Sequence, residues 1–324
     1  MPHALCPPAF IVGMPRSGTT LLAEMLATQP GVGVPPETHF FSVCTRGLPV
    51  DEPLADPAAA LGCLDRFLYP NGSPDETPSA ERTAPAEPAS PIELFVDELD
   101  RWAQSGGWKQ WVEKTPAHLD RMPAILDVLA DARAAVVVRD PRAVHASLHR
   151  TPWDREDVVG HALRWQRYAR TTRALVEAHP GRVLAVPYER LVTVPAEAVA
   201  EVCAHLALPF DAGALEKRVR GEGRSFDQKA EPWKARASAP LDPGRIDGWK
   251  REVGAAERAL IERVAGDEME RFGYAPSSGA LSVADRVRVA GYLAAFVPRR
   301  VANKLYYYRQ SRRKGGAPTP KGGA

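Results

Sequence analysis

Residues 9–20 form an apolar segment that leads directly into a glycine-containing turn. The segment reads Ala-Phe-Ile-Val-Gly-Met-Pro-Arg-Ser-Gly-Thr-Thr and is followed by Leu-Leu-Ala-Glu-Met-Leu-Ala, which is typical of a helix. Gly13 and Gly18 keep the spacing of the phosphate-binding pattern G-x-x-x-x-G-K-[ST], and Thr20 takes its last position. Such a turn directs backbone N–H groups and a helix N-terminus at an anion. The sequence therefore predicts an anion site at the end of its first strand.

The lysine position of this pattern is occupied by a different residue. Thr19 stands where a lysine would reach the β- and γ-phosphates, and Arg16 supplies a positive charge from inside the turn. This favours a smaller anionic group, bound without an obligatory magnesium ion, over a nucleoside triphosphate. A small-molecule kinase on the same scaffold and a catalytically inactive nucleotide-binding protein remain the alternatives.

A second buried strand carries an arginine at its carboxyl end. Residues 134–138 form a continuous apolar, β-branched run, typical of a strand buried on both faces, and Arg139 follows them. A helix is predicted after Pro141 and contains Ser147. An arginine in this position faces the crevice where open parallel sheets bind ligands, and its guanidinium suits a phosphate.

These two segments resemble the donor-binding segments of sulfotransferases that use 3′-phosphoadenosine 5′-phosphosulfate (PAPS), and most of all the branch that contains tyrosylprotein sulfotransferases and many bacterial enzymes. The resemblance covers roughly residues 9–275, with weak matching between 42 and 108. It implies PAPS as co-substrate, no metal, and transfer of a sulfuryl group to a hydroxyl. The donor-binding residues that it implies are Arg16, Ser17, Gly18, Thr19, Thr20, Arg139, Ser147 and Tyr188.

The resemblance also implies catalytic roles for Arg16 and for three further residues. Glu37 lies 21 positions after Arg16, where tyrosylprotein-type enzymes carry their catalytic base. His39 is the competing base, because the cytosolic branch uses a histidine and imidazole accepts a proton near neutral pH. Lys114 begins a Lys-Thr-Pro segment and matches the lysine that stabilises the leaving oxygen, and Ser225 aligns with a serine that contacts the sulfuryl group. 

Two polar neighbours of Lys114 are expected to be surface residues or to support the catalytic groups from behind. They are Glu113, which precedes the lysine directly, and His118, which follows it by four positions.

Strands alternate with helices along the chain, which predicts an α/β protein with a three-layer α/β/α fold of P-loop type and a mainly parallel sheet. The strands are expected at about 9–13, 109–113, 134–139 and 182–187. Residues 1–275 are predicted to be the sulfotransferase domain, with a flexible insertion at 70–91 that is rich in Pro, Ser, Ala and Glu. A basic amphipathic extension at 276–313 and a disordered tail at 314–324 are predicted to follow.

Composition and charge favour a cytoplasmic enzyme. The net charge of +2 gives no general case for binding nucleic acid. The four cysteines show neither metal-ligand spacing nor a disulfide framework: Cys6, Cys44, Cys63 and Cys203. The first residues lack the features of a signal peptide, and no apolar run is long enough to cross a bilayer. A reducing compartment is therefore expected.

The expected partners are a small-molecule or peptide hydroxyl acceptor and a contact made by residues 281–313. This segment has aromatic and aliphatic residues among seven arginines and one lysine. Such a helix either lies on an anionic membrane or lipid-like substrate, or packs on its own domain or on a second subunit of a homodimer.

Overall fold

The computed structural model describes residues 6–69, 89–220, 239–277 and 279–313. Five strands lie within these ranges: β1 (Ala9–Gly13), β2 (Val32–Gly33), β3 (Gln110–Lys114), β4 (Arg133–Val138) and β5 (Val183–Pro187). They form a parallel sheet in the order β2-β3-β1-β4-β5. Each of the four predicted strands is found within one residue of its expected limits, and the short β2 was not predicted.

The helices of the described ranges connect the strands and follow the last one. They are α1 (Thr19–Leu26), α2 (Pro57–Leu68), α3 (Pro91–Ser105), α4 (Met122–Val128), α5 (Pro141–His149), α6 (Val158–Ala178), α7 (Tyr188–Thr193), α8 (Pro195–His205), α9 (Ala212–Val219), α10 (Trp249–Glu252), α11 (Ala255–Arg271) and α12 (Val283–Arg313). A π-helical turn covers Phe40–Cys44, and 3₁₀ turns cover Pro116–Arg121 and Pro243–Arg245.

The central strand β1 has all five residues buried and divides the core into two halves. Successive side chains of a strand point to opposite faces of the sheet. Phe10 and Val12 pack with residues of α3, α6 and α11, whereas Ala9 and Ile11 pack with residues of α1 and α8. A continuously apolar strand thus packs against a helical layer on each face of the sheet. The predicted three-layer α/β/α fold is confirmed.

The predictions about cysteines were wrong for one pair. Cys44 and Cys63 form a disulfide that joins the π-helical turn to α2, with their Cα atoms 5.6 Å apart. Cys6 and Cys203 are free thiols. The pair is separated by 19 residues without any recognisable motif, so only the packing of α2 beside the turn brings the two side chains together.

Three predicted features fall outside the described residues. They are Ser225, nearly all of the insertion at 70–91, and the tail at 314–324. Among the residues that are described, no helix combines the length and the apolar character that crossing a bilayer requires.

Candidate active site

The turn between β1 and α1 has the backbone that close approach of an anion requires. A Cβ on Gly13 would lie 2.6 Å from the carbonyl oxygen of Val137, and one on Gly18 would lie 2.4 Å from the ring of Tyr188. Both glycines also have positive φ angles, 148° and 104°. Arg16 adopts a φ of 74°, which is uncommon for a residue with a side chain. The chain therefore needs glycine at both predicted positions, and it tolerates strain at Arg16.

Tyr188 begins α7 directly after β5 and connects the turn with Arg139. The guanidinium of Arg139 lies over the Tyr188 ring, 4.0 Å from its centroid, and its Nη1 donates to the carbonyl oxygen of Arg16 at 3.2 Å. The Nε of Arg139 and the Oγ of Ser17 are buried and have no hydrogen-bond partner among the described residues. Buried polar atoms are rarely left unpaired. An anionic ligand with several oxygens would satisfy both groups.

The two predicted phosphate-binding segments contact each other. Arg16 Nε donates to Ser147 Oγ at 3.1 Å. Ser147 lies on α5, whose first turn is capped by the Asp140 carboxylate accepting from the Arg142 backbone N–H at 2.8 Å. The β1–α1 turn and α5 therefore face the same space at the carboxyl ends of β1 and β4.

That space is a cavity of about 380 Å³ with a basic lining. Of the predicted donor-binding residues, the structure brings seven to its wall: Arg16, Gly18, Thr19, Thr20, Arg139, Ser147 and Tyr188. Arg150, Arg245 and Arg251 also line it, so five arginines face two carboxylates, Asp242 and Glu252. This excess of positive charge suits a ligand with more than one phosphate-type group.

Sequence reasoning did not identify the three additional arginines. Arg150 follows Ser147 by three positions, one helical turn, and this spacing was the signal that placed it on the same face. Arg245 and Arg251 belong to the segment that precedes α11, and no local pattern distinguished them from surface residues. Glu252 forms an ion pair with Arg150, and Asp242 pairs with Arg245 at 2.9 Å.

The three predicted candidates for proton transfer and charge stabilisation form one cluster. Lys114 ends β3, beside Ile11 of β1, and is almost fully buried. Its Nζ donates to Glu37 Oε1 at 2.5 Å, while Glu37 Oε2 lies 3.5 Å from His39 Nε2. A carboxylate and an ammonium held side by side can accept a proton and stabilise a developing negative charge.

Behind this cluster lies a buried carboxylate, Glu113, which accepts four hydrogen bonds. The donors are Thr38 Oγ1 at 2.9 Å, Thr115 Oγ1 at 2.5 Å, Thr115 N at 3.2 Å and His118 Nδ1 at 3.1 Å. Burial alone would raise the pKa of Glu113, but the His118 ring and the hydrogen bonds outweigh it and hold the pKa below its ordinary value. Glu113 and His118 are both fully buried, so of the two positions expected for them the surface position is wrong and the supporting position behind the catalytic groups is the one observed.

His118 joins the same network to the segment after Glu37. Its Nε2 accepts from the Phe41 backbone N–H at 3.3 Å, so we assign the proton to Nδ1, which donates to Glu113. Thr115 Oγ1 also accepts from the backbone N–H of Thr38 at 3.0 Å. Since Glu37 precedes Thr38, and Lys114 lies between two members of the network, these bonds set the position of the carboxylate relative to the ammonium.

One group of side chains within the described residues has the spacing of a metal site. Asp154, Glu156 and His161 can bring one ligand atom each within 4.8 Å of one another. The guanidinium of Arg164 already pairs with both carboxylates, with Nη2 2.5 Å from Asp154 and Nε 3.5 Å from Glu156, and both ring nitrogens of His161 have hydrogen-bond partners. We therefore assign no metal to it.

Comparison with known proteins relates the chain to sulfotransferases. The family model described as the sulfotransferase family matches residues 7–212, more than half of the chain. This range includes the β1–α1 turn, Glu37, Lys114, Arg139 and Ser147.

Individual relatives are more distant. Nodulation protein NoeE of Sinorhizobium fredii NGR234 is 24% identical, over 83% of this chain and 66% of its own length. The chain thus spans slightly less than two thirds of that protein. The ω-hydroxy-β-dihydromenaquinone-9 sulfotransferase Stf3 of Mycobacterium bovis is 27% identical, over 83% of this chain and 75% of its own length. The sulfotransferase domain of the olefin synthase from Synechococcus PCC 7002 superposes with a TM-score of 0.60 at 25% identity, covering 85% of this chain and 98% of that domain.

Proposed function

This chain belongs to the sulfotransferase family, and from that membership we propose that it transfers a sulfuryl group from PAPS to a hydroxyl group, giving a sulfate ester and adenosine 3′,5′-bisphosphate. The observation that carries the proposal is the basic cavity in which Arg16, Arg139 and Ser147 meet at the N-terminus of α1. A donor with a 5′-phosphosulfate and a 3′-phosphate has two anionic groups for two such anchors. The kinase alternative is not favoured for two reasons. Thr19 stands where a kinase of this type carries the loop lysine, and the chain matches the sulfotransferase family model.

We assign the donor's 5′-phosphosulfate to the β1–α1 turn, residues 16–20, and its 3′-phosphate to Arg139 and Ser147. The unpaired Nε of Arg139 and the unpaired Oγ of Ser17 support this assignment, because each would gain a partner. The ring of Tyr188 stacks on the Arg139 guanidinium and so supports its position. The contact of Arg16 with Ser147 makes the two proposed phosphate sites neighbours.

We assign the chemistry to Glu37, Lys114 and Arg16. The Glu37 carboxylate takes the proton of the acceptor hydroxyl while the hydroxyl oxygen attacks sulfur and the bond from sulfur to the phosphate oxygen breaks. Lys114 and Arg16 stabilise the negative charge that develops on the departing oxygen, a role for which no metal is needed. His39 lies close enough to Glu37 to orient its carboxylate. Ser225 keeps its predicted role as a contact of the sulfuryl group.

For the acceptor we propose a hydroxyl on an apolar, lipid-like molecule. By its name, the relative Stf3 acts on a hydroxylated menaquinone, which is such a molecule. Of the two partners predicted for residues 281–313, we propose a membrane or lipid-like molecule over a second copy of the chain. The segment has eight basic residues against the single acidic residue Asp285, so that two copies would repel each other.

We propose the cytoplasm as the compartment, because the donor is a nucleotide. A reducing cytoplasm would then keep Cys44 and Cys63 as thiols, and their disulfide would form on oxidation. Thiol labelling of freshly lysed cells tests this: both cysteines should react, and protection of both would place the protein in an oxidising compartment.

The experiment that tests the reaction combines labelled PAPS, purified enzyme and a lipid extract, with mass spectrometry for a product heavier by one sulfuryl group. Glu37→Gln should lower kcat by about 10²–10⁴-fold, the usual contribution of a positioned general base. It should leave the affinity for adenosine 3′,5′-bisphosphate unchanged.

His39→Ala is the matched control and should cost much less. An inactive His39→Ala variant beside an active Glu37→Gln variant would move the base to His39. Tighter binding of magnesium ATP than of adenosine 3′,5′-bisphosphate would reject the sulfotransferase proposal in favour of a kinase.

A further inference from the structure

Helix α12 has one apolar face that packs on the protein. Val289, Tyr292 and Phe296 contact the core beside α6 and α11. Tyr292 Oη donates to Glu257 at 3.3 Å, near the start of α11. These contacts hold the helix against the domain and determine which of its faces points outward.

The opposite face of α12 is also apolar, and it is exposed. Val283, Val287, Val297 and Val301 are exposed by 79%, 67%, 65% and 54%. With the exposed Ala290 and Ala294, they are spaced alternately by four and three residues, so they form one stripe along the helix. We call these six residues the valine stripe. A helix with one contact face in a globular protein ordinarily presents polar residues to water, so this stripe is suited to an apolar surface.

The charges around the valine stripe are almost all positive. Arg286 and Arg300 each precede a valine of the stripe by one position, so both are exposed along the same side of it. Residues 281–313 contain seven arginines, one lysine and one acidic residue, Asp285. The Asp285 carboxylate already accepts from Ser282 Oγ at 2.6 Å and from Arg288 at 3.2 Å. Within the part of α12 whose side chains the structure describes, an anionic surface therefore meets cations and no other carboxylate than this paired one.

We propose that α12 docks the protein on the surface of an anionic lipid bilayer, with the valine stripe in contact with the acyl chains and the arginines among the headgroups. An amphipathic helix of this kind lies in the interfacial plane and does not span the bilayer. Its binding combines burial of the apolar stripe with attraction of Arg and Lys to anionic headgroups. A second copy of the chain fits this face poorly, since its arginines would meet arginines.

Docking through α12 would also place the bilayer near the donor site, because α12 contacts α11 and α11 contacts α5, the helix that carries Ser147. Glu257, which accepts from Tyr292, lies 3.7 Å from His145 Nε2 on α5. Ser147, proposed as a ligand of the 3′-phosphate, is two residues further along the same helix. An apolar acceptor dissolved in the bilayer would then meet an enzyme that lies at the same surface. The docking itself does not depend on sulfuryl transfer.

The test is co-sedimentation of the full chain with vesicles of phosphatidylcholine alone and with vesicles that contain an equal part of phosphatidylglycerol. We expect binding to the anionic vesicles that weakens as salt is raised. The double variant Val287→Asp, Val297→Asp should lose at least about tenfold in affinity, because both residues face the acyl chains. Arg286→Ser and Arg300→Ser should each lose about fivefold on anionic vesicles only.

Two controls separate docking from misfolding and from catalysis. Val194→Asp changes another exposed valine, outside α12, and should bind vesicles as the wild type does. Glu37→Gln should also bind them normally, so a failure of the proposed reaction leaves this test intact. The α12 variants and Val194→Asp should retain the wild-type melting temperature, because they change exposed residues.

Three results would overturn the proposal. They are equal binding to both kinds of vesicle, unchanged binding by the double aspartate variant, and absence of binding to either vesicle. If the last result came with a mass in light scattering that falls from dimer to monomer in the double variant, the valine stripe would be an interface between two copies of the chain.

Discussion

Glu113 offers the sharpest test of how the fold positions the catalytic pair. Glu113→Gln keeps the side-chain shape but replaces one acceptor oxygen with an NH₂ group. All four partners of Glu113 donate to it, and two of these donors, the Thr115 N–H and the His118 Nδ1–H, cannot reverse their role without a change of tautomer or backbone. The amide nitrogen would therefore turn toward the hydroxyls of Thr38 and Thr115, which can rotate.

The magnitude follows from the bonds that are lost. Two hydrogen bonds to a charged acceptor become bonds to a neutral amide, and the Thr115 hydroxyl proton loses its partner in a fully buried site. We expect the free energy of unfolding to fall by about 2–4 kcal/mol. Because Thr38 adjoins Glu37 and Thr115 adjoins Lys114, we also expect kcat to fall by about 10–100-fold, the cost of misplacing reacting groups by a fraction of an ångström to one ångström.

The assays are urea unfolding, steady-state kinetics and calorimetry with adenosine 3′,5′-bisphosphate. The nucleotide's affinity should not change, since Glu113 does not line the basic cavity. Glu98→Gln is the matched control: Glu98 is equally buried but lies on α3, away from the catalytic pair. It should lose stability with little change in kcat of the folded enzyme. A Glu113→Gln enzyme that is less stable but has normal kcat would refute the positioning role.

Three further predictions concern charge. Activity should survive EDTA, whereas Lys114→Ala should lower kcat by about 10²–10³-fold with little effect on donor affinity, and Lys114→Arg should restore only part of it. Calorimetry of Arg139→Ala should show a loss of about 2–4 kcal/mol for adenosine 3′,5′-bisphosphate and a much smaller loss for AMP. The neighbouring His145 lowers the pKa of Glu257 to about 2, below its ordinary value of 4.5, so its carboxylate stabilises the fold above pH 4.5 and loses this contribution as the pH falls to about 2. In urea titrations Glu257→Gln should therefore cost on the order of 1 kcal/mol near pH 6 and almost nothing near pH 2, and an equal cost at both pH values would contradict this.

Much of the fold and the family could be predicted because their signals are local. The apolar runs of β1 and β4 and the turn with Gly13 and Gly18 each depend on a few neighbouring residues. The predicted membership of the sulfotransferase family and the predicted, mainly parallel sheet are confirmed. The finer resemblance to the tyrosylprotein-type branch and the roles of Glu37 and Lys114 stay predictions.

Contacts between segments distant in the chain could not be predicted in the same way. Glu113 looked like a polar residue at a strand end, but β3 lies next to the central strand, so its carboxylate is buried and must bind donors from two segments. Cys44 meets Cys63 only because α2 packs beside the π-helical turn. Arg245 and Arg251 reach the cavity only because the segment before α11 folds over it.

Helix α12 shows most plainly what the sequence predicts and what only the tertiary structure decides. By itself the sequence predicted a basic amphipathic extension; the structure shows that its helix has apolar residues on two faces, one with Tyr292 and Phe296 and the other with the valine stripe. Its periodicity does not tell which face packs, because both bury apolar area equally well in principle. The tertiary structure decided this, since the larger aromatic side chains fill the surface beside α6 and α11 and leave the smaller valines exposed.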